Sequence, residues 1–152
     1  MDQIYIFDLD STLANIDHRL PYRASRDDPQ GEFNLRCVDD APIPHMVSIY
    51  RLLYGSGARC TIWTGRTEAV RQQTQGWLNR HVFQGDTPHN TGLRMRPLGD
   101  TRQDNVLKEE WLLGLAPSVR AKIACAFDDR DRVVAMYRRH GVPCLQVAPG
   151  NF

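Results

Sequence analysis

A doubly wound α/β fold on a parallel sheet is the architecture this 152-residue sequence predicts. Three observations predict it. The runs Ile4–Phe7, Arg59–Trp63 and Ile123–Phe127 are short, rich in β-branched and aromatic residues, and read as strands buried on both faces. Segments with the 3.6-residue apolar repeat of helices lie between them, so strands and helices alternate. Each run also stops abruptly at polar residues: Asp8 and Asp10, Thr64-Gly65-Arg66, and Asp128-Asp129. The ends of parallel strands are where open α/β sheets place their chemistry.

Taken in order, the first strand enters Asp8-Leu9-Asp10-Ser11-Thr12-Leu13. Residues 14–42 then lose periodicity, with Pro21, Pro29, Gly31 and Pro42 as interruptions and a charged cluster at Arg26-Asp27-Asp28. They are too polar for core and too long for an ordinary connection, which predicts a functional loop or small cap inserted after the first strand. Pro44–Tyr54 is predicted as a helix with Met46, Val47, Ile49, Tyr50, Leu53 and Tyr54 on its apolar stripe, stopped by Gly55 and Gly57. After the second strand, Thr67 and Glu68 open a helix carrying Val70, Trp77 and Leu78. Residues 84–92 are loop by composition, and Leu93–Pro97 is a short edge strand. A helix over Asp104–Leu115 presents Val106, Leu107, Trp111 and Leu112, and Pro117–Arg120 is a short helical turn. The third strand is followed by a helix through Val133, Val134, Met136 and Tyr137 to His140-Gly141, and Leu145–Val147 is the last strand. The whole chain, 1–152, reads as one domain.

Composition narrows the function. Apolar content of 41% and charged content of 24% are ordinary for a soluble domain. A net charge of +1 supplies no global field for a polyanion, so any nucleic-acid contact must be a local patch. No apolar run approaches a membrane span and no secretory leader opens the sequence, so a cytoplasmic protein without membrane contact is expected. Cys37, Cys60, Cys125 and Cys144 form no CxxC pair and read as small thiols in a reducing compartment. The five histidines are scattered. No obligatory protein partner is evident, and homo-oligomerisation is left open.

Four aspartates converging at strand ends would repel one another, and a divalent cation would relieve that. Hard oxygen ligands of this kind suit Mg²⁺ and suit zinc poorly. Thr64 offers a hydroxyl and Lys108 a compact positive charge for phosphate oxygens, and Gly65 permits close backbone approach. An aspartate nucleophile, Mg²⁺ and a lysine together describe phosphoryl transfer through an aspartyl-phosphate. Each residue also has a plainer reading: an Asp-Ser turn for Asp8 and Asp10, a helix cap for Thr64, a solvated helix position for Lys108.

The set resembles the haloacid dehalogenase (HAD) superfamily of phosphohydrolases. Asp8-Leu9-Asp10-Ser11-Thr12-Leu13 matches its first motif, Thr64 its second, Lys108 its third and Asp128-Asp129 its fourth, in family order. Ala14 through Arg19 to Tyr22, Thr64-Gly65-Arg66, Gly99 through Glu110, and Asp128-Asp129-Arg130 running on to Phe152 are similar to the 3′-phosphatase domains of phage polynucleotide kinases. The sequence departs from those enzymes in having no G-x-x-x-x-G-K-[ST] kinase loop, so it reads as the phosphatase alone.

The resemblance implies a Rossmann-like HAD sheet and assigns roles. Asp8 is the nucleophile. Asp10 is the acid for the leaving alkoxide and then the base for water, with its backbone carbonyl on Mg²⁺. Asp128 and Asp129 supply the remaining metal ligands, with the direct one undecided. Thr64 and Gly65 hold the transferring phosphoryl group, and Lys108 neutralises Asp8 and phosphate charge. Thr12 either orients Asp10 or caps the turn. Arg19 and Arg66 grip a substrate phosphate as bidentate forks, and without the resemblance both read as surface arginines. Asp104, one turn before Lys108, either orients that lysine or forms a surface ion pair. Arg94, Arg96 and Arg102 either line the nucleotide approach or, as the plainer reading, are solvated charge. The expected substrate is a nucleotide or nucleic-acid end bearing a 3′-phosphate, in the cytoplasm of the host if phage-encoded. The rivals are a phosphatase of free nucleoside monophosphates and a catalytically silent binding module.

Overall fold

Ile4–Phe7 forms β1, the middle strand of a five-stranded sheet in the computed structural model, which describes residues 2–23, 31–83 and 92–151. Strand pleating sends Ile4 and Ile6 to one core and Phe7 to the other. Next come β2 (Ala14–Asn15), a 3₁₀ turn (Asp17–Tyr22), α1 (Glu32–Leu35), a second 3₁₀ turn (Arg36–Asp39) and β3 (Ala41–Pro42). They are followed by α2 (Pro44–Gly55), β4 (Arg59–Thr67), a 3₁₀ turn (Glu68–Val70), α3 (Arg71–Leu78) and a π-helical turn (Asn79–Phe83). The remainder is β5 (Leu93–Arg96), α4 (Asp104–Leu113), α5 (Pro117–Arg120), β6 (Ile123–Asp128), α6 (Asp131–Arg139) and β7 (Cys144–Gln146).

The sheet runs β5-β4-β1-β6-β7 with every pair parallel. The chain winds outward from β1 through β4 to β5, then returns to the opposite side of β1 for β6 and β7. That reversal opens a crevice at the carboxyl ends of β1, β4 and β6. On one face Met46, Val47 and Tyr50 of α2 and Trp77 and Leu78 of α3 pack on Phe7, Cys60 and Ile62. On the other, Leu112 of α4 and Val133, Val134, Met136 and Tyr137 of α6 pack on Ile4, Ile6, Trp63 and Ala126. Each buried Val, Leu, Ile, Phe or Met among them contributes about 1.5–3 kcal/mol. The stacked rings of Phe7 and Phe127, 4.5 Å between centroids, tie β1 to β6 immediately below the site.

Helix ends follow local chemistry. Pro44 opens α2 behind an extended Ile43. Asp131 lies in the first turn of α6 and Arg138 and Arg139 in its last, complementing the helix dipole. In α4 the expected stripe shifts. Val106 is 42% exposed, whereas Lys108, four residues before the buried Leu112, is 2% exposed and occupies the inward row.

Residues 14–42, expected as loop or cap, contain short elements held at a neck. Ala14 and Asn15 pair antiparallel with Pro42 and Ala41, and the Ile43 N–H donates to Leu13 O (2.8 Å). The cluster at 26–28 and residues 84–91 of the loop expected over 84–92 lie outside the described residues. The second strand runs past its expected end at Trp63. Between the pairs Trp63–Arg94 and Thr67–Arg96, β4 advances four residues while β5 advances two. The surplus bulges, turning Thr64-Gly65-Arg66 out of the ladder at the crevice.

Candidate active site

Phe7 and Phe127 are register partners, so the residues after them, Asp8 and Asp128, emerge side by side. The Asp8 N–H still donates to Phe127 O (2.9 Å), which fixes the carboxylate on the sheet. Lys108 reaches over from α4 and places Nζ 2.7 Å from Asp8 Oδ1 and 2.7 Å from Asp128 Oδ2. Asp129 joins them, and each of the three carboxylates has an oxygen within 4.8 Å of the others. All four side chains are buried. Burial raises the pKa of Asp8 well above the ordinary carboxylate value; Lys108 only partly opposes this, and Asp128 and Asp129 add to it. Burial and then Asp128 push Asp129 to about 6. Burial disfavours the Lys108 charge, but Asp128 and Asp8 outweigh it and hold that pKa well above the usual lysine value. One ammonium thus faces three carboxylates. An all-oxygen donor set with surplus negative charge fits a hard divalent cation such as Mg²⁺.

Two residues along the chain, Asp10 meets the opposite environment. Its Oδ1 accepts from Arg19 Nη2 (2.8 Å) and Arg66 Nε (2.7 Å). Burial opposes its ionisation, but Arg66 and Arg19 prevail and hold its pKa below the ordinary value. Both guanidiniums are fully buried and share a second carboxylate, Asp40. Arg19 Nε and Nη2 reach Asp40 Oδ1 and Oδ2 at 2.8 and 2.9 Å, and Arg66 Nη2 reaches Oδ2 at 2.7 Å. His18 Nε2 lies 2.8 Å from Asp40 Oδ1, and Trp77 Nε1–H donates to the Asp40 carbonyl (2.7 Å). Asp40 was missed in the sequence: its neighbour Asp39 is exposed, and nothing local separates them.

The turn joining these corners is tight. Leu9 O accepts the N–H groups of Thr12, Leu13 and Ala14, and Ser11 takes a left-handed φ of 62°. The Thr12 hydroxyl is buried without a hydrogen-bond partner, so it bonds neither Asp10 nor the turn. Thr64 is buried with its hydroxyl accepting the Arg66 N–H (3.1 Å), which braces the bulge. Helix capping falls to Thr67, whose Oγ1 accepts from Ala69 N (3.0 Å).

Asp104 does not pair with Lys108. Its Oδ1 accepts from Arg96 Nη2, and its Oδ2 accepts from Arg130 Nη1 at 2.6 Å. A Cβ on Gly65 would sit 2.7 Å from Asp104 Oδ1, so the close approach this glycine permits here is that of the Asp104 carboxylate. Arg96, read from sequence as solvated, also donates from Nε to Gly65 O (3.0 Å). Asp8, Asp10, Gly65, Arg66, Asp104, Lys108, Asp128 and Asp129 line one cleft of about 280 Å³, together with Arg23, Phe33, Arg96 and Arg130. Thr12, Arg19 and Thr64 lie behind its walls.

A family model described as the polynucleotide kinase PNKP phosphatase domain matches residues 2–152. The chain belongs to that family. It is accordingly a phosphoric monoester hydrolase of the HAD superfamily. Among solved structures, a chain of the Pnkp1/Rnl/Hen1 complex superposes with a TM-score of 0.80 at 29% identity, over 100% of this chain and 48% of that one. A chain of the Pnkp1/Rnl/Hen1 RNA repair complex gives 0.78 at 28%, over 100% and 44%. This PNKP-type phosphatase domain therefore spans about half the length of those relatives. The class C acid phosphatase of Bacillus anthracis, solved with tungstate bound, shares the fold at TM-score 0.64 and 14% identity, over 99% of this chain and 68% of that one. No helix among the described residues is long and apolar enough to cross a membrane.

Proposed function

We propose that this chain, as one catalytic domain, is a Mg²⁺-dependent phosphatase that removes 3′-phosphates from polynucleotide ends through an aspartyl-phosphate on Asp8. The observation that carries the reading is the Asp8 corner: a carboxylate fixed on a strand end and held by Lys108 beside two further carboxylates. Asp8, Asp128 and Asp129 would hold Mg²⁺, with the Asp10 carbonyl. Bound there, the ion supplies positive charge to phosphate oxygens that would otherwise meet three carboxylates.

The protein groups divide the remaining work. Asp8 attacks phosphorus, and the P–O bond to the leaving 3′-oxygen breaks. As substrate phosphate competes for Arg19 and Arg66, Asp10 takes up a proton from solvent and gives it to that oxygen, then takes one from the water that attacks the aspartyl-phosphate, which restores Asp8 and frees phosphate. Arg19 and Arg66 hold the Asp10 carboxylate directly and are themselves fixed by Asp40; Arg66 faces the cleft and Arg19 backs it, so their positive charge acts on phosphate from that wall. Lys108 keeps Asp8 aligned. Thr64 and Gly65 shape the bulge against which phosphate rests, and Asp104 gathers Arg96 and Arg130 at the cleft wall. Thr12 supplies packing beneath the turn.

The 3′ preference is supported by the match of Arg19, Arg66 and the Gly99–Glu110 segment to phage 3′-phosphatase domains, and by the likeness to chains of an RNA repair complex. Turnover compared on a 3′-phosphate oligonucleotide, its 5′-phosphate isomer and the two matching mononucleotides tests it. Preference for the 3′-phosphate end is expected. Preference for the 5′-phosphate mononucleotide would replace this reading with that of a free-nucleotide phosphatase.

A further inference from the structure

A second cavity, of about 460 Å³, opens beside the catalytic cleft and shares Ser11 and Arg23 with it. That volume is in the range of small-molecule sites. Its walls differ from those of the cleft. Leu20, Ile43, Ala148 and Pro149 make an apolar surface, and Leu20 is 40% exposed. Asn15 and Asp17 supply a polar edge. Asn15 Oδ1 is committed to the Asp17 N–H (2.9 Å), so what Asn15 offers a ligand is the donor side of its amide.

We propose that this groove binds the terminal nucleoside of the phosphorylated strand, with the base on the Leu20–Pro149 surface. The inference rests on the 3′-phosphatase reading and deepens it. Three features commit the groove to that occupant. It begins at Ser11, the residue after Asp10, and Asp10 protonates the leaving oxygen; the groove therefore lies on the leaving-group side, where the sugar must be. Its charge complements a neutral group: Asp17 repels a phosphodiester, whereas Arg23 sits only at the junction with the cleft, where the terminal phosphate passes. Its mixture of apolar wall and hydrogen-bonding edge matches a nucleobase, which has a π-face to cover and donors and acceptors along its rim.

The test compares Michaelis constants for two oligonucleotides, one ending in an ordinary 3′-phosphorylated nucleotide and one ending in an abasic sugar 3′-phosphate. The base should lower KM about tenfold, the gain expected from covering one face of a base with apolar side chains. Leu20→Ser and Ala148→Glu should each bring the ratio of the two constants toward one. A ratio of one in the unaltered protein, or a ratio that neither variant moves, overturns the groove. Binding of a strand with 2-aminopurine at its 3′-phosphorylated end to Asp8→Asn protein gives a second readout. Its fluorescence should change on binding and lose that change when Leu20→Ser is added. Hydrolysis without a fluorescence change sinks the groove and leaves the phosphatase reading standing. A fluorescence change with no hydrolysis of any 3′-phosphate by the unaltered protein sinks the phosphatase reading and leaves the groove as a nucleoside site.

Discussion

Asp8 and Asp10 stand two residues apart at the end of one strand, and their surroundings move them in opposite directions. At the Asp8 corner three carboxylates share one ammonium, and burial outweighs Lys108 so that Asp8 resists ionisation. At the Asp10 corner two carboxylates share two guanidiniums, and Asp10 is held ionised. The first corner carries surplus charge that a cation would balance. The second is balanced from within and can act as a scaffold. A chain can place a cation-seeking site and a self-satisfied one side by side because each is decided by the far partners brought to it, not by the aspartate itself.

Breaking each corner should have different consequences, and the largest is at Asp8, the proposed nucleophile. Asp8→Asn should take phosphatase turnover below detection while thermal melting shows a folded protein; near-normal turnover would refute the assignment. Asp10→Asn, read in the same assay, should cost roughly 10²–10⁴-fold through lost proton transfer. Asp40→Ala attacks the balanced corner and strands Arg19 and Arg66 with one carboxylate between them. Denaturant melts should show a loss of about 3–5 kcal/mol, as for other broken buried ion pairs. A loss under 1 kcal/mol would show that water or a neighbour replaces Asp40 easily.

Cation binding sharpens the contrast. Mg²⁺ at a hundred times its dissociation constant should stabilise the protein by about 2.7 kcal/mol in a melting titration. Asp129→Asn should weaken that gain by depleting the carboxylate set, whereas Asp40→Ala should leave Mg²⁺ affinity in place because Asp40 is bonded to Arg19, Arg66, His18 and Trp77 and to none of the cation-site residues. Gly65→Ala puts a methyl against the Asp104 carboxylate and should cost about 1–3 kcal/mol by overpacking, seen in the same melts. The smallest effect concerns a surface pair with neither feature. Arg102 holds the Asp100 carboxyl down to about 2. This depressed group contributes stability above its unfolded value of 3.8 and loses it as pH falls toward 2. NMR titration should find the midpoint near 2 and see Arg102→Ala return it toward 3.8.

The strand ends were legible because their signal is local. An apolar run that stops at a carboxylate states both the strand and where it ends, so the positions of Asp8, Asp10, Asp128 and Asp129 at strand ends could be read from the sequence. Lys108 was legible only through the order of the other motifs, and the stripe drawn around it was off by a residue class: Val106 faces solvent and the lysine faces in. Asp40 and its exposed neighbour Asp39 look alike in sequence. For Asp104 helical spacing left Lys108 and a separate ion pair as alternatives, and only the fold selects the second, with Arg96 and Arg130 arriving from β5 and from the start of α6.

By itself, the sequence determined the alternation of strands and helices, the carboxylates at the strand ends and the chemistry such carboxylates can do. Those follow from periodicity and from the cost of burying charge, which act over a few residues. Tertiary structure decided which cation meets which carboxylate. Asp8 and Lys108 are separated by 100 residues, and Arg19, Asp40 and Arg66 lie on three separate segments of the chain. Their pairing depends on the register of β1 against β6, on the bulge in β4 and on the neck that closes residues 14–42. Electrostatic pairing in a buried site is set by distances of a few ångströms, and only the packed sheet brings residues so far apart in sequence that close.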